Sequence, residues 1–423
     1  MSVPESYLFV KTRLPHPSLR AMTIRQLMDF AQFSKSVLDS CDIYAPGSEG
    51  VDVKVTSMSA TMYDICSVFI LPLTRHFNCS FAELVAPGPQ PPDWFVSHWW
   101  GMEWRKTFRI LKAHAGIRQL GPHNRYWICT FANNQHNLSD LQGRVTDAPF
   151  CQALLHPNCV GTLLVADSNI TALSRVWCVF EMFLTLTLGA RQTPAQLLDI
   201  ATMVPAEGVE FGADTVTVLR DLGGGNRDDV GERDGSRFPL RVAEKGTEID
   251  VSAAQAAREA DRNAILNLMA SRLQSAQPRV APPATHPEYR KLNQCLHRCL
   301  APAAMYSLVA AGKVQRIRAL LAQQGPHMAG INCTVHSGNT VLFAAIRGCE
   351  RVGGPEAILV PLLRARASPA AVNDAGLTPL DLALEGREVR AARALVLAGA
   401  VAREPLPAWA NPGIPLALEW EAQ

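Results

Sequence analysis

The chain has 423 residues, enough for two to four domains at roughly 100 to 200 residues each and for at least one large buried core. Hydrophobic residues make up 48% and charged residues 18%, which excludes a disordered, collagen-like or coiled-coil chain. With 40 Lys and Arg against 38 Asp and Glu, the formal charge of +2 gives no net electrostatic reason to expect nucleic acid or an anionic membrane as partner.

The eleven cysteines are an odd number without paired short spacings, in a chain too large to need staples, and read as reduced thiols. Met1 to Leu14 mixes Pro4, Glu5, Lys11 and Arg13 into its apolar residues, so no secretory signal is expected, and no apolar run reaches the 18 or so residues of a membrane span. These readings predict a cytoplasmic protein with no membrane contact.

In chain order, residues 1–86 read as a helical N-terminal region. Met22 to Leu38 and Thr61 to Phe77 both place apolar residues at three-to-four spacing. Pro87-Gly88-Pro89-Gln90-Pro91-Pro92 forbids regular helix and central strand alike, and marks a boundary. From Asp93 the apolar runs alternate with helix-like stretches. Strands are predicted at Trp94 to Trp100, Tyr126 to Ala132, Val160 to Ala166 and Leu198 to Val204, and helices at Glu103 to Ala115, Pro149 to Leu155 and Thr171 to Leu188. Short, nearly all-apolar strands separated by helices predict an α/β fold with a doubly wound parallel sheet, covered on both faces, over residues 88–275. Gly223-Gly224-Gly225 reads as an exposed loop, because no Gly-Lys-Ser/Thr ending follows it to make a phosphate cradle. Ser252 to Leu273 reads as a further helix, and residues 276–300, with the proline-rich stretch Pro278 to Pro287, as a linker.

Two patterns carry chemistry or recognition. The first lies between Ser174 and Leu188, where Glu181 is the one charged residue of an otherwise apolar helix, with Ser174, Trp177, Cys178 and Glu181 on one face. A carboxylate in that setting must pair with a cation such as Arg175 or Arg105, become protonated, or open into a polar cleft. The second is an internal repeat: Gly338-Asn339-Thr340-Val341-Leu342 recurs as Gly376-Leu377-Thr378-Pro379-Leu380, 38 residues on. Elsewhere, Cys295, His297 and Cys299 offer three donors, but on a helix His297 points away from the line of the cysteines, so no metal site is expected.

Both patterns resemble known families. Asp93-Trp94-Phe95-Val96-Ser97 looks like the first strand of a Toll/interleukin-receptor (TIR) domain, and Leu163 through Asp167 and Ser168 to Ser174, Trp177, Cys178 and Glu181 looks like its third strand and the helix that follows. The resemblance covers roughly Asp93 to Pro205, with Ser252 to Leu273 fitting the last helix. TIR domains assemble with one another as signalling adaptors or cleave nicotinamide from NAD. The resemblance therefore implies Glu181 as the catalytic residue, and Ser97, His98, Trp99, Gly101, Ser174 and Trp177 as groups around NAD, a substrate; no cofactor is implied. The C-terminal repeat resembles the ankyrin repeat over residues 301–404, with Thr378-Pro379-Leu380 matching its signature and Asp381 standing where the family usually has His; residues 405–423 follow as a tail. It implies a protein partner, beside self-association of the TIR-like part. Two functions stay open at this level, an NAD glycohydrolase under ankyrin control and a non-catalytic scaffold in which Glu181 is a buried structural charge.

Overall fold

The computed structural model describes residues 13–14, 16–46, 52–137, 147–204, 214–221, 233–234, 238–274, 280–324, 331–332, 334, 338–348 and 353–411. The glycine-rich loop at 223–225 lies outside them, as do parts of the N-terminal stretch, the tail and the proline-rich stretch. The chain divides into two compact units, residues 1–218 with 250–293, and residues 219–249 with 294–423.

The first unit is built on a mostly parallel sheet. Its strands are β1 (Met22–Thr23), β4 (Trp94–His98), β5 (Arg125–Trp127), β6 (Gly161–Ala166), β7 (Leu197–Val204) and β8 (Thr215–Asp221); β2 (Ile43–Pro46) and β3 (Asp52–Val55) form a separate hairpin. The order β1-β5-β4-β6-β7-β8 runs parallel from β5 through β7, with β1 antiparallel at the edge, Met22 opposite Tyr126. The chain goes from β4 to β5 on one side and then returns to place β6 on the other. This puts the topological switch at the carboxyl end of β4, where open α/β sheets bind ligands. β8 runs to the end of the unit, and beyond Val218 its last residues pair with β9 (Arg233–Asp234) in the second unit.

Residues 22–46 and 52–85, which the sequence leaves open between a domain of their own and a layer on the sheet, share the hydrophobic core of the sheet. Phe30, on the helix Ile24–Ser40, meets Phe69, Phe81, Trp104 and Phe131 edge-on, with ring centroids 5.0–5.9 Å apart. Thr23 starts that helix with a capping box to Gln26. Residues 52–62 also join the sheet's loops, through Met62 N–H to the Trp100 carbonyl at 3.0 Å and Trp104 N–H to the Ala60 carbonyl at 2.8 Å.

Several elements differ from the sequence reading: residues 1–86, expected as helical, also hold β1 and the β2–β3 hairpin, and the helix expected over Ser252 to Leu273 is a 3-10 turn Val251–Ala253 and a helix Glu259–Ala270. The strand expected at Tyr126 to Ala132 stops at Trp127, and Cys129–Ala132 turns into a short helix that drives Phe131 into the Phe30 cluster. An all-apolar run carries no period by which strand and buried helix can be told apart. The helix expected from Thr171 to Leu188 is three pieces: a 3-10 turn Thr171–Ser174, the α-helix Val176–Phe183 and a π turn Leu184–Leu188, with Arg175 extended between the first two.

Among the described residues from 294 onward, the regular elements of the second unit are all helices. The expected linker 276–300 is in large part the start of a helix, Pro287–Ala310, whose residues Tyr289, Leu292, Leu296, Cys299 and Ala303 are buried at a three-to-four spacing. His297 on that helix pairs with the Ile249 carbonyl at 2.8 Å, and no group of three or more metal-ligating side chains occurs among the described residues. The repeat becomes two helical pairs, Val341–Gly348 with Leu359–Arg364 and Pro379–Glu385 with Val389–Leu397. The repeated glycines, Gly338 and Gly376, both take positive φ, +69° and +75°. Asn373 donates to Asn339 across the two loops at 3.0 Å. Asp381 closes a capping box: its N–H reaches Thr378 Oγ1 at 3.1 Å while its carboxylate accepts from Thr378 N–H at 2.8 Å. Thr378→Ala is expected to destabilise the second unit by about 1 kcal/mol, read by thermal melting; an unchanged melting curve would mean that the cap carries no stability. No helix among the described residues is long and apolar enough to cross a membrane.

Candidate active site

β4 ends in Ser97 and His98, and the turn Trp99-Trp100-Gly101 follows, closed by Met102 N–H to the Trp99 carbonyl at 3.2 Å. Gly101 leaves room for the Trp99 ring, which folds back over it: a Cβ at Gly101 would run into that ring. On the neighbouring strand, the Asp167 carboxylate accepts from Thr171 N–H at 2.7 Å, Thr171 Oγ1 at 2.6 Å and Asn169 N–H at 3.2 Å, fixing the loop after β6. Buried Ile170 sits in that loop at φ +52°, a conformation that costs a β-branched residue of order 1–3 kcal/mol. The loop delivers the chain to Arg175, whose extended backbone is flanked by two bonds to Gln255: Val176 N–H to the Gln255 carbonyl at 2.9 Å and Gln255 N–H to the Ser174 carbonyl at 2.8 Å. From there Val176–Phe183 carries Glu181 to the end of β4.

Ser97, fully buried, donates its hydroxyl to Glu181 Oε2 at 2.5 Å. Glu181 is 9% exposed and opens on a cavity of about 280 Å³. Trp99, Trp100, Trp177, Tyr63 and Phe150 form aromatic walls, and His98, Asn133, Gln135, Arg175, Cys129 and Cys178 complete the lining. Phe150 meets Trp177 edge-on at 5.5 Å and Tyr63 lies 5.5 Å from Trp100. Burial pushes the Glu181 carboxyl up to about 8, and the Ser97 hydrogen bond pulls the other way. Among the described residues no cation pairs with Glu181; Arg105 instead donates to the Met58 carbonyl at 3.0 Å.

Burial drives the His98 imidazole down to about 4, so the ring is neutral near pH 7; a backbone contact at Val96 offsets this in part and falls short of hydrogen-bond geometry. Burial also raises the thiols: Cys129, which accepts from Trp100 Nε1 at 3.2 Å, reaches about 12, and Cys178 lies well above the ordinary range. Both are poor nucleophiles. The described cysteines are all free thiols.

Of the residues named from sequence, Glu181, His98, Trp99 and Trp177 line the cavity, Ser97 stands behind Glu181, and Gly101 backs the Trp99 ring. Ser174 does not share a face with Glu181. It ends the 3-10 turn ahead of the helix, is exposed, and donates its hydroxyl to the Thr171 carbonyl at 2.7 Å. Tyr63, Asn133, Gln135 and Phe150 were not foreseen. The amide-rich run Asn133-Asn134-Gln135 was a signal available for two of them, whereas nothing local to Tyr63 links it to a strand that starts 31 residues later.

No family model, no curated protein and no solved structure matches this chain.

Proposed function

We propose that the first unit is a TIR-like domain that releases nicotinamide from NAD through Glu181, and that the helical pairs of the second unit are ankyrin-type repeats that hold a protein partner and regulate the first. One observation carries the reading: a carboxyl bonded to Ser97, free of any described cation, faces an aromatic-walled cavity at the switch point of the sheet. Nicotinamide is a cationic pyridinium in NAD. When its bond to the ribose C1′ breaks, the electron pair stays on the ring nitrogen and nicotinamide leaves neutral, so no general acid is needed. The ribose is left as an oxocarbenium-like cation. Water adds to C1′ and gives up a proton, and ADP-ribose is the second product. An anionic Glu181 next to C1′ stabilises that cation in a site with little water. Docking of the cationic ring itself favours the ionised carboxyl, as any adjacent positive charge does. Trp99 and Trp177 offer flat faces to the ring.

A second reading is favoured by the same carboxyl. With burial holding it near 8, Glu181 is largely protonated at pH 7, and a neutral acid bonded to Ser97 can be a plain structural group in a non-catalytic scaffold. Nicotinamide release by the full chain at high protein concentration separates the two. Release is expected to fall by about 1,000-fold in Glu181→Gln. For the wild type, kcat/KM should rise with pH up to about 8 and then level, because the anion is the active form. No release at any pH from 6 to 9 would leave the scaffold.

A further inference from the structure

The two helical pairs of the second unit leave a groove of about 570 Å³ between their second helices, Leu359–Arg364 and Val389–Leu397. The inner sides of these helices hold the unit together through Leu359, Leu362, Ala391, Ala392 and Leu395, all fully buried. A second stripe on each helix faces the groove, Val360 and Leu363 on the one, Arg390, Ala394 and Leu397 on the other, at three-to-four spacing. The charge of the lining is lopsided. Arg364, Arg390 and Arg393 stand against one acid, Glu356, which Arg390 Nη2 reaches at 2.7 Å. Leu397, the last residue of its helix, is 76% exposed. Exposed apolar side chains joined into one groove mark a surface that something covers, where single ones do not.

The chain itself supplies the cover. After Leu397 it returns to the side of the same helix: the 3-10 turn Ala408–Ala410 packs there, with Ala410 fully buried and the Trp409 carbonyl accepting from Arg393 Nε at 2.8 Å. Arg393 lines the groove, so Asn411, the last described residue, is two residues from a bond to its wall. Residues 412–423 follow, outside the described residues, and their sequence complements the groove. Ile414, Leu416, Leu418 and Trp420 recur every second residue, which sets them on one face of an extended chain. Glu419 and Glu421 are the only charged side chains of the segment, and both are negative. Extended, residues 412–421 span up to about 35 Å. The helix Val389–Leu397 is roughly 13 Å long, so reach is no obstacle.

We infer that residues 414–421 dock in cis into the groove between the second helices of their own unit, the apolar face on Val360, Leu363 and Leu397 and the two glutamates at the arginines. The segment straps the two helical pairs together and closes a stack in which no third pair follows among the described residues. The inference is independent of the reaction at Glu181.

The test uses a synthetic peptide of residues 412–423 carrying a fluorophore, added to the full chain and followed by anisotropy. A tethered segment competes at an effective concentration of about millimolar. Wild type is therefore expected to bind the peptide at least about tenfold more weakly than a full-length triple variant, Leu416→Ser with Leu418→Ser and Trp420→Ser, whose own segment no longer docks. Added to that triple variant, Arg364→Glu with Arg390→Glu should weaken the peptide by about tenfold. Leu397→Glu should do the same from an exposed position that leaves the core untouched. Circular dichroism confirms that each variant is folded. No uptake of the peptide by the folded triple variant would overturn the inference, as would uptake that ignores both Leu397→Glu and the arginine reversals. Equal uptake by wild type and triple variant would show that the groove stands open to its own tail, and would overturn it too. A wild-type mass that doubles in light scattering as concentration rises, and stays single in the triple variant, would assign the segment to a second copy and overturn docking in cis.

Discussion

Glu181→Gln is expected to stabilise the protein at alkaline pH by on the order of 4 kcal/mol and to remove most of the pH dependence of stability between pH 5 and 8. The sign follows from linkage. The folded-state pKa of Glu181, about 8, lies above its ordinary 4.5, so between those values the folded protein binds a proton that the unfolded chain has released. Stability from this group is therefore fully present below about pH 4.5, falls as pH rises through the window, and levels above 8. Glutamine keeps the shape and a hydrogen-bonding oxygen for Ser97 but never titrates. Urea melts of both proteins from pH 5 to 9 measure the effect, and parallel curves would mean that Glu181 is well solvated. Paired with loss of nicotinamide release, a stability gain of this kind would mark a carboxyl kept for its reaction at the fold's expense.

Asp199→Ala is expected to destabilise the first unit by about 3–5 kcal/mol, because it leaves the half-buried Arg118 guanidinium without its counter-charge and the buried His114 Nε2 without its partner. Asp199 lies on β7 and is fully buried. Its Oδ2 accepts from His114 Nε2 at 2.9 Å and Arg118 Nε at 2.8 Å, and Oδ1 accepts from Arg118 Nη2 at 2.6 Å. His114 Nδ1 meets the Tyr126 hydroxyl at 2.6 Å, and the Arg118 guanidinium sits 5.2 Å over the Trp94 ring. The helix Trp104–Ile117 and the residue after it are thereby strapped across β4, β5 and β7. Burial alone would raise the Asp199 carboxyl, but the hydrogen bonds and charges of His114 and Arg118 overcome it and hold the group below its ordinary 3.8. The contribution is present above the unfolded value and is lost as pH falls through the folded one, so acid unfolding of the wild type should begin below about pH 4. Chemical denaturation of wild type, Asp199→Ala, Arg118→Ala and the double variant would measure it. Additive losses in that cycle would show that the bidentate pair contributes nothing as a pair.

The two carboxyls show how far a sequence can be read. Glu181 stood out because one charge interrupts an apolar helix, and that contrast is local. Asp199 gave no such signal. Its partners, His114 and Arg118, lie 85 and 81 residues away, and only the register that sets Asp199 opposite Leu163 brings β7 beneath that helix. The same limit explains the linker that proved to be helix. A proline-rich stretch ends at Pro287, and the regular spacing of Tyr289, Leu292, Leu296 and Cys299 begins directly after it, with Pro287 as the first residue of the helix.

By itself the sequence determined the α/β alternation, the parallel strands, the repeat, and Glu181 as the one charge of an apolar helix. Each of these is written in short-range period, composition or spacing, which the backbone must obey wherever the element ends up. Tertiary structure alone decided that residues 22–46 and 52–85 join the core of the sheet, that Ser174 is left on the surface, and that Tyr63, Asn133 and Gln135 line the cavity. It alone left His98 buried and unpaired beside Glu181, because burial and partnership are properties of what packs from elsewhere in the chain, and a residue's neighbours in sequence do not set them.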